Sequence, residues 1–261
     1  PGYQANVFEG GQTLITTNTS GQPTVIIGSL GNSKSMSPIV NTTLKPTKDN
    51  PYGVHQFVVV PQCVFSTQTD QLKFMFMHSQ VPLKFRDFYH KIDGFYYHLD
   101  LHAICLPGGV VVINDMTDVC KIIQTELSKD TTYQFVNHFL NGDEQDKNSV
   151  SKEAINRFYS TLADLYGPLD EKIEKALTKK GFKVVKAPLM VPIPLGQIAA
   201  AFSNGVPGCT PTGKKLFYMG KPDSNRYEEA IFTSFLKKAL TLYDIQPVPI
   251  DGISLLTKKT M

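Results

Sequence analysis

The sequence predicts a mixed α/β fold, and three observations predict it. Short apolar or β-branched runs such as Phe57–Pro61 and Val110–Asn114 read as strands. From Ser151 to Lys180, and again from Tyr227 to Thr241, apolar residues recur at helical spacing. Each of these helical stretches is followed by a further β run, Lys183–Ala187 and Gln246–Ile250. Repeated strand–helix–strand units imply an α/β domain. The two units share no exact sequence repeat but point to structural repetition.

In chain order, Thr13–Thr17 and Thr24–Gly28 are β segments joined by a polar turn containing Ser20-Gly21. Residues 29–56 are rich in Ser, Asn, Pro and Lys and read as a loop. Phe57–Pro61 is a buried strand. Residues 66–93 are ambiguous, and Phe74-Met75-Phe76-Met77 within them reads as strand or as a Met-rich packing patch. Tyr96–Leu106 alternates, Pro107-Gly108-Gly109 turns the chain, and Val110–Asn114 completes a hairpin. Asp118–Leu127 is a short helix with Val119, Ile122, Ile123 and Leu127 on one side. Ile155, Phe158, Leu162 and Leu165 mark a helix that Gly167-Pro168 is expected to break; a second helix carries Ile173 and Leu177 and ends near Gly181. Leu216–Met219 is strand-like. In the last unit, Ile231, Phe235 and Leu240 face inward.

With 261 residues the chain is read as a single domain with ample core. A net charge of +3 and the absence of basic runs with interleaved aromatics argue against nucleic acid as a partner. Lys179-Lys180 and Lys258-Lys259 are read as solvated pairs. No stretch approaches the roughly 18 uninterrupted apolar residues of a membrane span. The abrupt start at Pro1 and end at Met261 suggest a piece of something longer, truncated at both ends. The four cysteines Cys63, Cys105, Cys120 and Cys209 form no CxxC pair, which argues against structural zinc; their scatter suits reduced thiols in a reducing compartment, the cytoplasm, with a disulfide the alternative that spacing leaves open. Asn18-Thr19-Ser20 and Asn41-Thr42-Thr43 match a glycosylation pattern too common to locate the protein.

The segment Tyr97-His98-Leu99-Asp100-Leu101-His102 is the best candidate for chemistry. On a strand, side chains alternate faces. Tyr97, Leu99, Leu101, Ala103 and Cys105 would pack on the core, and His98, Asp100 and His102 would share the other face. Three readings are open. The face is simply solvated. Or it is a site, in which a histidine donates and accepts protons beside a carboxylate that suits the donor fork of a guanidinium. Or His98, Asp100 and His102 bind a metal ion.

His98-Leu99-Asp100, followed by Pro107-Gly108-Gly109 and Val110–Asn114, resembles the His-x-Asp/Glu segment of the guanidino-group-modifying (pentein) enzymes. Phe8-Glu9-Gly10-Gly11-Gln12, followed by Thr13-Leu14-Ile15 and Val25–Gly28, resembles their Glu-Gly-Gly strand segment. Phe202-Ser203-Asn204-Gly205-Val206 is similar to their Asn-containing segment before the last repeat. The superfamily includes arginine, agmatine and protein-arginine deiminases, dimethylarginine hydrolases and amidinotransferases.

The resemblance implies a pseudo-fivefold α/β propeller of ββαβ modules around a polar channel, here incomplete. It implies a deiminase-type hydrolase in which a cysteine thiolate attacks an arginine-like guanidinium. His98 would be the general acid/base, Asp100 would grip guanidinium nitrogens, and Glu9 would orient His98. Asn204 would join the substrate site. No metal or organic cofactor takes part in that chemistry. The partner would be a small guanidino compound or a protein arginine side chain, citrulline being the product type; homo-oligomerisation is left open.

Two family elements have no counterpart. With eight residues before Glu9, the upstream acidic segment is missing, and so is the Gly-rich His-Cys segment expected after the last strand. Cys209, in a loop between Pro207 and Pro211, is the remaining candidate nucleophile. Cys63, Cys105 and Cys120 are expected to be packing residues. Beside the hydrolase stand two alternatives: an inactive module that keeps the fold for binding or regulation, and an amidinotransferase.

Overall fold

The computed structural model describes residues 12–29, 56–65, 67–77, 92–129, 134, 151–193, 197–221 and 228–254. Among them, one strand arrangement occurs three times. The first sheet holds β1 (Thr13–Thr17), β2 (Pro23–Ser29) and β3 (Gln56–Pro61) in the order β1-β2-β3, with β1 antiparallel and β3 parallel to β2. The second sheet repeats this with β4 (Ala103–Leu106), β5 (Val110–Asn114) and β6 (Lys183–Ala187). A short hairpin of β7 (Met190–Ile193) and β8 (Gln197–Ala201) follows. The third sheet, β9 (Gly205–Cys209), β10 (Lys215–Lys221) and β11 (Ile245–Ser254), has the same pairing pattern. The architecture is thus mixed α/β with small mixed sheets, and no closed barrel forms among the described residues.

Parallel neighbours require a crossover. Between β5 and β6 it consists of α2 (Met116–Glu126) and α3 (Lys152–Thr178); between β10 and β11 it is α4 (Glu228–Phe235), extended by a π-helical turn, Leu236–Leu240. Another helix, α1 (Gln68–Met77), follows β3. The middle strands explain their own burial. All five residues of β5, Val-Val-Val-Ile-Asn, are buried, as are six of the seven in β2. Strands covered on both faces read as continuous apolar runs rather than alternating ones. The β4–β5 turn needs positive φ at Gly108 (85°) and Gly109 (74°), which only glycine adopts without strain.

Three expectations from the sequence are corrected. First, α3 is one continuous helix of 27 residues with Pro168 inside it. Its stripe Ile155, Phe158, Leu162, Tyr166, Leu169, Ile173, Leu177 is buried without interruption, so packing holds the helix through the proline. Pro168 itself faces solvent. Gly167 also helps, because the clash that drives the residue before proline out of the helical region involves a Cβ that glycine lacks.

Second, Phe74–Met77 lies in α1, not in a strand; Phe74 is buried, whereas Phe76 and Met77 are exposed. Third, the alternating stretch Tyr96–Leu106 is not one strand. Leu99–His102 forms a helical turn, closed by Leu101 N donating to the His98 carbonyl at 3.2 Å, and β4 begins only at Ala103. The Glu9–Gly11 segment, most of the 29–56 and 128–150 stretches, Asn41 and Lys258-Lys259 lie outside the described residues.

One contiguous core runs through all three repeats, from Ile26 in the first to Ile245 in the third. Helix α3 joins the first two, packing on α2, on β5 and β6 of its own sheet, and on β3 of the first sheet, while the third is joined through α2 against α4 and β6 against the π-helical turn. The helical turn Leu99–His102 sits against β1. Among the described residues no helix is long and apolar enough to cross a membrane.

Candidate functional site

The turn carrying His98 and Asp100 is fixed from both sides by buried polar groups. Upstream, Tyr166 of α3 donates its hydroxyl to the Ile92 carbonyl at 2.7 Å. Tyr96 donates to Asp170 Oδ1 at 2.6 Å and accepts from Asn114 Nδ2 at 3.0 Å. Asp170 Oδ2 accepts from Met116 N at 3.0 Å, at the positive end of the α2 dipole. Asn114 Oδ1 accepts from Leu189 N at 2.8 Å. A strand end, two helices and the approach to His98 therefore share one buried network. Burial pushes the Asp170 carboxyl up to about 8, against the lowering effect of its bonds from Tyr96 and Met116. Burial, then the Asp170 charge, raises the Tyr96 phenol well above its ordinary value.

The Tyr97 carbonyl accepts from the side-chain amides of both Gln12 and Gln62, the latter at 3.3 Å. His98 follows in extended conformation, φ −106° and ψ 133°, at the N-terminal boundary of the helical turn. Its ring meets the Tyr97 ring edge-on, with centroids 4.6 Å apart. Both His98 and Asp100 are half-buried. Burial raises the Asp100 carboxyl, while the neighbouring His98 and a backbone N–H pull it the other way. An imidazole and a carboxylate within electrostatic reach of one another, neither fully solvated nor sealed, can together move a proton and hold a planar cation.

His102 does not join them. Its ring is fully buried, stacked on Tyr96 with centroids 4.1 Å apart and planes at 3°, and its Nε2 lies 3.5 Å from Gln62 Nε2. Burial holds its pKa down to about 3, so it is a neutral core group. The shared face of His98, Asp100 and His102 expected from alternation does not exist. The metal alternative loses its geometry with it: among the described residues no three His, Cys, Asp or Glu side chains are grouped to hold an ion. On the opposite face Tyr97, expected in the core, is 48% exposed.

The other predicted residues lie apart from this turn in the chain. Cys209, expected in a loop, instead ends strand β9 of the third sheet, paired with Lys215 and exposed, and Asn204 is exposed in the turn between β8 and β9. Glu9 lies outside the described residues. Burial pushes the Cys105 thiol up to about 12 and the Cys120 thiol up as well, which leaves both poor nucleophiles. Cys63 is half-buried just after β3.

Gln12, Gln62, Tyr96, Asn114 and Asp170 support the site and were not singled out from the sequence. Two of them carry a signal in hindsight. Asn114 ends an otherwise apolar strand, and Asp170 stands beside Leu169 on the buried side of α3; a polar residue in such a place needs a partner. Gln12 and Gln62, at strand ends, carry no such mark. No protein-family model matches the chain, and no curated protein is detectably similar to it in sequence.

Proposed function

We propose that the protein is a deiminase-type hydrolase of an arginine-like guanidinium, working on a pseudo-fivefold propeller of ββαβ modules. The observation that carries this reading is the pair His98 and Asp100, both half-buried and within electrostatic reach of one another on a turn held by buried polar groups. The threefold recurrence of one ββ-crossover-β topology supports the repeat architecture. In the proposed chemistry Asp100 accepts hydrogen bonds from the guanidinium and aims its carbon at a cysteine thiolate. The thiolate attacks, His98 gives its proton to the departing nitrogen, and ammonia or an amine leaves. His98 then takes a proton from water, which hydrolyses the covalent thiouronium to the ureido product. Glu9 would orient the His98 ring, Asn204 would contact substrate, and Cys209 is the candidate nucleophile within these residues. The reaction uses no metal or organic cofactor. The substrate is a small guanidino compound or a protein arginine in the cytoplasm, and neither nucleic acid nor membrane takes part.

A second reading is a non-catalytic guanidinium-binding module, favoured by the raised thiols of Cys105 and Cys120 and by the exposure of Cys209 on another sheet. An amidinotransferase would differ only in using an amine where the hydrolase uses water. Incubating the intact protein with arginine, agmatine and an arginine peptide, and measuring ureido product and ammonia, separates the three. The hydrolase releases both, and His98→Ala lowers the rate by at least about 100-fold. Release unchanged in His98→Ala removes His98 from the chemistry. Ammonia or amine release that requires an added acceptor amine indicates amidino transfer. Binding without any release supports the module.

A further inference from the structure

We propose that Gln12 and Gln62 are positioning residues, a two-armed grip on the Tyr97 carbonyl that sets the His98–Asp100 turn. The proposal rests on reading that turn as the site. Gln12 immediately precedes β1 and Gln62 immediately follows β3, so the two amides come from opposite edges of the first sheet. Both side chains are buried, and both donate Nε2–H to the same oxygen. A carbonyl has two lone pairs and accommodates both. That oxygen belongs to the peptide unit whose nitrogen is His98 N. Fixing it fixes the plane from which the His98 side chain departs and from which the helical turn bearing Asp100 begins.

The second amide hydrogen of Gln62 faces His102 Nε2 at 3.5 Å, and His102 in turn lies flat on Tyr96. Gln62 Nε2 can only donate, so the two bond in the tautomer that carries its proton on Nδ1. The grip therefore holds residues 96 and 97 together. Gly28, on the central strand between the two arms, makes room for them. A Cβ at Gly28 would lie 2.3 Å from Gln62 Oε1 and 2.7 Å from Gln12 Oε1.

The arrangement is a poor one for stability alone. Gln12 Oε1, Gln62 Oε1 and His102 Nδ1 are buried without a hydrogen-bond partner among the described residues. Unsatisfied buried polar groups destabilise a fold, and a chain tolerates them chiefly where they serve a site. Apolar side chains of the same length would fill this space with less penalty, but they could not hold a carbonyl.

The test uses Gln12→Met and Gln62→Met in the intact protein, which keep side-chain length and remove the donors, together with Gly28→Ala, which keeps the donors and displaces them. Amide hydrogen exchange across His98–Ala103 is read beside kcat and KM for guanidinium hydrolysis. Both Met variants are expected to speed exchange in the turn about tenfold or more while the global unfolding midpoint holds or rises. Their kcat is expected to fall on the order of 10- to 100-fold with KM little changed, as misplacement by about 1 Å would do. Gly28→Ala is expected to reproduce both effects. Exchange in the turn unchanged in both Met variants overturns the grip, whatever the activity. Faster exchange with kcat unchanged overturns the positioning role. Faster exchange in a protein that releases no product even before substitution upholds the grip and overturns the hydrolase reading instead.

Discussion

A histidine that is neutral behaves as an aromatic with one polar edge, and His102 is buried on those terms, flat against Tyr96. The proton it refuses gives stability a pH dependence. Its ordinary value is 6.5 and burial lowers it to about 3. Between these values the unfolded chain binds a proton that the folded one does not, so this group's contribution is complete above pH 6.5 and is lost as pH falls toward 3. The slope is about 1.4 kcal/mol per pH unit. His102→Phe preserves the stack and removes the titration. Relative to the unsubstituted protein, the variant should be less stable at pH 7, where Gln62 loses its partner, and should recover against it by roughly 1.4 kcal/mol per unit below pH 6.5. Urea midpoints at pH 7 and pH 4.5 measure this; an equal deficit at both would mean His102 does not titrate as described. The same residue shows why the candidate site was only half legible. In Leu99–His102, a spacing of three puts Leu99 and His102 on one side of a helical turn, and six residues are too few for alternation to exclude that. Counting histidine as polar then placed it with His98 and Asp100. His98 and Asp100 stay within electrostatic reach of one another, so the correction removes only His102 from their company.

At the scale of elements, α3 sets much of the geometry around the turn. It anchors Ile92 through Tyr166 and Tyr96 through Asp170, and it passes Pro168 without a break. The sequence carried two opposed signals here, a local breaker and a long apolar stripe. The stripe prevails because burial of Leu162, Tyr166, Leu169 and Ile173 on either side of the proline outweighs one missing backbone bond. Pro168→Ala, on the exposed face, should restore that bond and stabilise the protein by about 1–3 kcal/mol, read as a higher denaturation midpoint. A lower midpoint would mean the proline shapes α3 in a way the packing requires. Asp170 works in the opposite sense. Asp170→Ala removes the acceptor of both the Tyr96 hydroxyl and Met116 N, and should cost about 3 kcal/mol. Its pH behaviour also opposes that of His102. Because its folded value is raised from 3.8 to about 8, the folded state keeps a proton the unfolded state releases, and this contribution is present below pH 3.8 and lost as pH rises toward 8. From about pH 4 to 6.5 these two contributions oppose one another, so removing either group should leave the other's slope exposed.

At the scale of the molecule, the strands were legible because the central ones are continuous apolar runs, and the helices because their stripes are long. The threefold pairing pattern was not legible from these residues, since which strands pair is decided by contacts between segments far apart in sequence. The junction of the first two sheets shows this best. Asn18 Oδ1 accepts from Ser20 N, Ser20 Oγ and Gln22 N, closing the β1–β2 turn, while its Nδ2 donates to the Lys180 carbonyl at 3.1 Å and to Gln56 Oε1 at 3.3 Å. Thr19 adds two bonds to the Gly181 carbonyl, from its backbone N at 3.1 Å and its hydroxyl at 2.8 Å. A Cβ at Gly109 would lie 2.4 Å from Thr19 N, so the β4–β5 turn leaves room for this dock. As a sequence triplet, Asn18-Thr19-Ser20 suggests only glycosylation; in the fold the Asn18 amide nitrogen is already bonded, and a glycan there is incompatible with the docked turn. Asn18→Ala should cost about 2–3 kcal/mol, because it leaves the Ser20 and Gln22 donors without their acceptor, while the Lys180 carbonyl keeps the Gln56 amide at 2.7 Å. Asn18→Asp, which keeps the acceptors for Ser20 and Gln22 but sets a carboxylate against the Lys180 carbonyl and Gln56 Oε1, should rescue only part of that loss. Chemical denaturation of both variants decides it. A loss below about 0.5 kcal/mol in Asn18→Ala, the range of an ordinary surface substitution, would mean that the shared core rather than this turn holds the first sheet to the second.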